Sequence, residues 1–352
     1  MNSNFYQDKP VFGLDIGLSS LKVMQIDWSH KRQHVTGYGV TSFSPDFFTD
    51  AILTDPEGLA KVAFELFKDH LIGDITTRRT VFAIPASKTF TRSMTLPRLK
   101  PNDLAAAVQL EAEQYIPVPI EELYLDHTLI SQTDKEMEVL VVAVPKKMVD
   151  SYLVLGRLLG LEVVAIETTI SAAGRLFLQA EQSDVPTVLI DLGSLSTDIT
   201  IYDKGLVVTG TVANGGDSFT NLIAEKLKVT KQEAHIIKTK YGLGVSKKQK
   251  EITDGLGPVL QQLIKEIRRM IRYYEERSNT DKKIGQVVTM GGGANMPGLS
   301  EYMTSALRLP VRMCDPWQHL DFGGLQPPNT VEKSMYVTVA GLALIRHKEI
   351  TS

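Results

Sequence analysis

Two stretches of this chain share one outline: DIGLSSLKVMQI at residues 15–26 and DLGSLSTDITIY at 191–202. Aligned without gaps, Asp15 meets Asp191, Gly17 meets Gly193, Ser20 meets Ser196 and Val23 meets Ile199, each pair 176 residues apart. Both copies follow an apolar run (VFGL and VLI) and lead into a second one. Each therefore reads as two short strands joined by a small-residue turn, with a carboxylate closing the first strand. Such a carboxylate is costly in a nearly buried strand unless something there needs it. The duplication predicts two related lobes, which would present their hairpins to each other across a cleft.

The chemistry that suits such a pair is a bound nucleoside polyphosphate. Glycine lets backbone N–H groups approach phosphate oxygens, and Ser19, Ser20, Ser194 and Ser196 add hydroxyl donors. A carboxylate beside a triphosphate is repelled unless a divalent cation lies between them. Asp15 and Asp191 are thus the candidate Mg²⁺ partners, through water or directly, because Mg²⁺ keeps several waters. They are also the candidate catalytic residues, Asp15 holding the metal shell and Asp191 orienting an attacking water. Lys22, on the strand after the first turn, would offset phosphate charge. For one copy alone, an Asp that hydrogen-bonds its own hairpin explains the residue equally well.

The length of 352 residues exceeds one simple core and predicts two or more domains. With 38 basic against 41 acidic residues, charge supplies no case for a nucleic-acid binder. Cys314, the single cysteine, permits no internal disulfide and reads as a small buried apolar residue. The N-terminal MNSNFYQDKP has no signal-peptide pattern, no run has the ~18–20 apolar residues of a membrane span, and GLALIRHKEITS lacks a basic amphipathic anchor. A cytoplasmic protein without a membrane anchor of its own is expected.

Along the chain, strands are expected at 11–15, 21–27 and 35–43 around a polar loop SHKRQH. A helix from Pro56 follows, with Leu59, Val62, Ala63, Leu66 and His70 at helical spacing, then a strand at 80–84 stopped by Pro85. Residues 101–159 read as an α-β-β-α unit: a helix with Asn102 or Asp103 near its N-cap, strands at 124–130 and 138–144, and a helix at 146–159. TVLIDL at 187–192 opens the second half, GGDSFTNLIAEKL starts a helix, residues 229–283 are helical and charged, and a helix at 331–347 closes the chain.

MGGGANMPGL at 290–299 places three glycines between a strand and a helix, which lets a flat base and ribose approach bare backbone. Two other readings stand beside this one. The loop can simply need positive φ, or Gly291, Gly293 and Gly298 with Asp315 can form a dinucleotide fingerprint, although Pro297 interrupts its spacing. P-loop, protein-kinase and HExxH motifs are absent, and the histidines are scattered.

The ordered set DIGLSS, DLGSLSTDIT, NGGDSFT, MGGGANMPGL and VAGLAL resembles the actin, Hsp70 and sugar-kinase ATPase superfamily over nearly the whole chain. That resemblance implies an α/β actin-like ATPase fold with two RNase H-like lobes around a nucleotide cleft. It implies phosphate contacts from Gly17, Ser19, Ser20 and Lys22 of one lobe and from Gly193, Ser194 and Ser196 of the other. It places Gly215, Gly216 and Asp217 near ribose and phosphates, and Gly292, Gly293 and Ala294 against adenosine. EAHIIKTKYG is similar to the superfamily's AExxK…YG segment, with Lys238 as its lysine; His235 stands at the acid position, and Glu233 two residues earlier.

AIPASKTFTRSMTLPRL and EAEQYIPVPIEEL look like the FtsA-type insert, and the second phrase is similar to the PilM family of type IV pilus assembly. The division so implied is a first lobe core at 1–95, 160–186 and 331–352, an insert at 96–159, a second lobe core at 187–228 and 284–330, and a helical subdomain at 229–283. The function implied is an adaptor that binds ATP with Mg²⁺ and hydrolyses it slowly at most. It would hold the N-terminal cytoplasmic tail of the inner-membrane protein PilN, at the inner face of that membrane, and self-association is possible in such a family. A small-molecule kinase, with Asp217 as the tempting base, and an FtsA-like filament protein are the alternative readings.

Overall fold

The structure, a computed structural model, describes residues 9–28, 33–180, 184–277, 282–330 and 332–346. Both chain ends, SHKRQH up to residue 32, positions 278–281 of the helical segment and residues 331 and 347 of the expected closing helix lie outside these. The chain divides into two compact units. One comprises the described residues of Met1–Glu181, Pro316–Pro328 and Tyr336–Ser352; the other comprises those of Gln182–Asp315 and Asn329–Met335.

In the first unit, β1 (Phe12–Ile16), β2 (Ser20–Asp27) and β3 (Gln33–Ser42) form an antiparallel meander. A small hairpin, β4 (Phe48–Thr49) with β5 (Ile52–Leu53), precedes α1 (Pro56–Asp69). Helix α1 starts where Asp55 accepts the Gly58 N–H at 2.8 Å and Pro56 supplies a preset φ. Its buried stripe is Leu59, Ala60, Ala63 and Leu66, whereas His70 is the exposed C-cap. β6 (Leu71–Gly73) pairs with β3, and β7 (Arg79–Ile84) runs parallel to β1.

β8 (Phe90–Pro97), α2 (Pro101–Tyr115), β9 (Leu123–Gln132) and β10 (Glu136–Pro145) build a separate antiparallel sheet of order β8-β10-β9. Helix α2 begins two or three residues earlier than a cap at Asn102 or Asp103 would place it: Lys100 is the N-cap and Pro101 the first helical residue, a position that tolerates proline's missing N–H. α3 (Lys146–Leu158) follows, then β11 (Glu162–Thr168), parallel to β7, and α4 (Thr169–Ala180). The buried side chains of α3 (Met148, Tyr152 and Leu155) join the core of the first sheet.

The second unit contains β12 (Thr187–Leu192), β13 (Thr197–Tyr202), β14 (Leu206–Val212), α5 (Gly216–Leu227), α6 (Lys231–Lys240), α7 (Gln249–Arg277), β15 (Gln286–Met290), α8 (Leu299–Leu307) and β16 (Val311–Met313). β17 (Leu320–Asp321) and α9 (Val337–Ala343) return the chain to the first unit. The closing helix is shorter than 331–347, because residues Lys333–Tyr336 form a tighter 3₁₀ turn in which Ser334 is bonded twice to Gly291.

The predicted duplication is present as architecture. Strand order β3-β2-β1-β7-β11 in the first sheet matches β14-β13-β12-β15-β16 in the second. Each is a meander whose first strand pairs parallel with the next core strand, and that strand pairs parallel with the last. Register repeats too: Asp15 faces Lys22 as Asp191 faces Asp198, and the turns close with Gly17 N–H to Ser20 O and Gly193 N–H to Ser196 O, both 3.0 Å.

Strand alternation separates two faces. Phe12, Leu14 and Ile16 of β1 turn to the α1 and α3 side, and Val188, Ile190 and Leu192 of β12 pack with Phe219 and Ile223 of α5 and a stripe of α7. Full burial of each such side chain is worth about 1.5–3 kcal/mol. On the other face of β1, α9 lies so close that a Cβ on Gly13 would meet Leu342 Cβ and Val339 O at 2.7 Å. Asp15 shares that second face, as Asp191 does in β12. Alternation thus keeps both carboxylates out of the large apolar clusters.

Candidate functional site

In the first hairpin the carboxylate is paired. Asp15 is 5% exposed, and Lys22 Nζ donates to its Oδ2 at 2.9 Å across the strand pair. Lys22 is itself buried, so in this structure its charge answers Asp15. Gly17, Ser19 and Ser20 form the half-buried turn, and Ser19 O accepts the Phe43 N–H at 3.0 Å. A Cβ on Gly17 would lie 3.0 Å from Ser20 O, so the tight turn leaves little room for a side chain.

The second hairpin has the same backbone and the opposite charge logic. Opposite Asp191, where the first copy has lysine, stands Asp198. Directly opposed residues of an antiparallel pair have Cβ atoms roughly 5 Å apart. Two carboxylates so placed favour a cation or a proton between them. Asp198 is 9% exposed; burial pushes its carboxyl up to about 6, against the lowering effect of the Thr211 hydroxyl, which donates to Oδ1 at 2.6 Å. Asp198 was not among the residues singled out from sequence. The gapless alignment contained its signal, since position 198 is the counterpart of Lys22.

Around this hairpin the structure gathers most of the other second-lobe candidates. The carbonyls of Gly193 and Ser194 accept the N–H groups of Gly216 (2.9 Å) and Asp217 (2.8 Å), so the turn caps the N-terminus of α5. Gly215 is the residue that permits this, because a Cβ there would sit 2.5 Å from Ser194 O and 2.6 Å from Gly193 O. Lys238 reaches the same place from α6, donating to Gly216 O at 2.7 Å. Burial holds its pKa below the usual lysine value, while Asp217 opposes that shift.

Glu233 and His235 do not join this cluster by hydrogen bonds. Glu233 closes a capping box with Thr230: its carboxylate takes the Thr230 N–H and hydroxyl at 2.9 Å, and its own N–H reaches Thr230 Oγ1 at 3.2 Å. His235 is exposed on α6, its imidazole held below its ordinary pKa by partial burial and by Lys238, with Asp217 pulling the other way.

The glycine triplet lies against the second hairpin. Gly291 has φ 81°, and a Cβ there would strike Asp191 Oδ1 at 2.3 Å. A Cβ on Gly293 would meet Leu192 Cβ at 2.9 Å. Gly292 is the open one, its nearest neighbour being Met335 Cγ at 3.6 Å. Ala294 is buried. The dinucleotide reading fails here on topology, because β15 belongs to the same meander-based sheet as β12, and Asp315 is bonded to Lys333 at 2.6 Å. Cys314 is buried, as expected.

Among the described residues no helix is long and apolar enough to cross a membrane. Comparison with known proteins places this geometry. Residues 13–347 match the family described as type IV pilus assembly protein PilM. The cell division protein FtsA of Bacillus subtilis (strain 168) is 23% identical over 267 residues, which cover 66% of this chain and 58% of that protein. The chain spans about half the length of the FtsA relatives it matches. Among solved structures, a PilM-PilN type IV pilus biogenesis complex superposes with a TM-score of 0.83 at 23% identity, covering 98% of this chain and 100% of that one. MreB 5 of Spiroplasma citri bound to AMPPNP gives 0.55 at 12% identity, covering 96% and 95%. The fold is that of the actin-like ATPases.

Proposed function

The chain belongs to the PilM family of type IV pilus assembly proteins, and from that premise we propose that it is a nucleotide-binding adaptor for a PilN-type inner-membrane protein. The observation that carries the nucleotide half is the repeated hairpin: the same register and closing bond recur 176 residues apart, with a carboxylate at the same place in each. The partner half is supported by the likeness to a PilM-PilN complex over nearly the whole chain.

In this reading the hydroxyls of Ser19 and Ser20 of one unit, and of Ser194 and Ser196 of the other, donate to phosphate oxygens, while Gly17 and Gly193, whose N–H groups close the turns, leave bare backbone for the approach. The N-terminus of α5 at Gly215, Gly216 and Asp217 adds partial positive charge beside the second hairpin. Lys22 and Lys238 balance charge, and Gly292 with Gly293 and Ala294 offers backbone to the adenosine. A hard cation fits the donor set, since Asp191 and Asp198 present oxygen ligands on adjacent strands. Among the described residues no group of three His, Cys, Asp or Glu side chains forms a cage, so Mg²⁺ here would keep most of its waters. When bound, it would neutralise charge between phosphates and carboxylates; Asp15 and Asp191 would orient its water shell.

The adaptor is expected to act at the cytoplasmic face of the inner membrane, reached through its partner. A pull-down from inner-membrane extract with and without Mg-ATP tests this. Recovery of a single-span pilus protein through its N-terminal tail supports the reading. Absence of Mg-ATP binding by titration calorimetry, with partner capture indifferent to Asp15→Ala and Asp191→Ala, sinks it.

A further inference from the structure

One segment of the second unit carries a charge unlike the rest of the chain. Between Lys226 and Lys250 the sequence holds eight lysines and one acidic residue, net +7, whereas the whole chain is −3. Seven of those lysines are exposed; the eighth, Lys238, is the buried one bonded to Gly216 O. The acid, Glu233, is already engaged, since the Thr230 cap and then Lys248 hold its carboxyl below the usual range. Exposed Glu225 and Glu251 flank the run, and from Ala234 to Lys250 no acidic residue occurs.

The same segment exposes apolar side chains: Ile236 is 59% exposed, Tyr241 39% and Val245 97%. Ile236 and Lys240 lie four apart on α6, hence on one face. Lys240 Nζ stands 5.4 Å from the centroid of the Tyr241 ring. Val245 belongs to a loop held by its own bonds. Leu243 N–H donates to Pro297 O at 2.7 Å, Gly244 N–H to Tyr241 O at 2.8 Å, and Gln249 Nε2 to Leu243 O at 2.9 Å. Such a loop presents Val245 with little further ordering when it meets a surface. A single exposed valine is ordinary. Three apolar groups among lysines make an amphipathic surface, because lysine stems lie along apolar matter while their heads reach polar groups.

Charge type selects the occupant. The run contains no arginine, the forked residue that reads one carboxylate or phosphate bidentately. Point charges on flexible stems suit a diffuse anionic field, and exposed valine and isoleucine suit the acyl boundary beneath it. We propose that this segment rests on an anionic membrane surface, with Val245 entering the headgroup layer and Lys240, Lys247, Lys248 and Lys250 on lipid phosphates. The proposal goes beyond the adaptor reading, in which a partner brings the chain to the membrane. The lipid contact needs no partner and no spanning helix.

The test is flotation of the full chain with protein-free vesicles of phosphatidylcholine, with and without about 30% phosphatidylglycerol. Flotation is expected with the anionic vesicles alone and should be lost in about 0.5 M salt. Changing Lys240, Lys247, Lys248 and Lys250 together to Gln should weaken binding about tenfold or more. Lys61→Gln with Lys135→Gln, exposed lysines elsewhere, should leave it within about twofold. Val245→Cys takes an environment-sensitive fluorophore selectively, because Cys314 is buried, and its emission should shift blue on anionic vesicles. That readout keeps the native lysines and decides the case if the four-lysine variant fails to fold. Equal flotation with phosphatidylcholine alone, flotation with an unshifted label, or unchanged binding by a folded four-lysine variant each overturns the proposal. So does an acidic peptide that shifts the label where anionic vesicles do not, which assigns the patch to a protein. The vesicles hold no protein, so failure here leaves the adaptor reading standing. A pull-down that recovers no tail leaves the lipid contact standing.

Discussion

Lys22 Nζ stands 2.9 Å from Asp15 Oδ2, with both side chains a tenth exposed or less. Its counterpart in the second unit is a pair of acids, Asp191 and Asp198. One backbone motif thus sets a lysine opposite the carboxylate in the first unit and a second carboxylate opposite it in the second.

The first prediction concerns the pair of Asp15 and Lys22. Lys22→Met strands a buried carboxylate and should destabilise the protein by about 3–5 kcal/mol in urea unfolding. Adding Asp15→Leu should restore most of the loss, because removing both charges leaves nothing uncompensated. A double variant as unstable as the single one would show that the pair is not the cause.

Asp198 predicts a pH dependence of stability. Burial pushes its carboxyl up to about 6 in the folded chain, from an ordinary aspartate value of 3.8. The folded state thus holds a proton that the unfolded state has released, and stability falls as pH rises from about 4 to about 6. The total fall from this group is roughly 3 kcal/mol at most. Denaturation midpoints of Asp198→Asn should lack that component, and Thr211→Val should extend it to higher pH.

Gly291→Ala should cost about 1–3 kcal/mol and displace Asp191, since the new methyl meets Asp191 Oδ1 at 2.3 Å with φ at 81°. Gly205→Ala is the control: a Cβ there meets nothing within 4 Å. Its thermal midpoint should match the parent's, while Gly291→Ala loses both stability and Mg-ATP affinity by calorimetry.

Glu233 and Lys238 should separate cleanly. Thr230→Ala and Glu233→Ala open the capping box of α6, at about 1 kcal/mol each, and leave nucleotide affinity within about twofold. Lys238→Met removes the charge beside Gly216 and Asp217 and should weaken nucleotide binding about tenfold. Equal effects of Glu233 and Lys238 on affinity would place the carboxylate at the ligand after all.

Much of this was legible in one dimension. The two hairpins and the helix after Gly215 follow from alternation and turn residues, which act over a few positions. So did the candidates Gly193, Ser194, Gly215, Gly216 and Asp217, which the structure gathers through short backbone bonds. The shorter pieces β4, β5, β6, β16 and β17 were not legible, because two or three residues carry no period. Nor was the role of Glu233, since the same spacing suits a cap or a ligand contact until the helix start is known.

By itself the sequence determined that this chain makes two hairpins of one design, each ending its first strand in a carboxylate. Local sterics and the period of two suffice for that. Only the tertiary structure decided what each carboxylate faces: lysine for Asp15, a second acid and the bare Cα of Gly291 for Asp191. Those partners depend on strand pairing and on Gly291 lying a hundred residues further along, and long-range register leaves no mark on any short stretch.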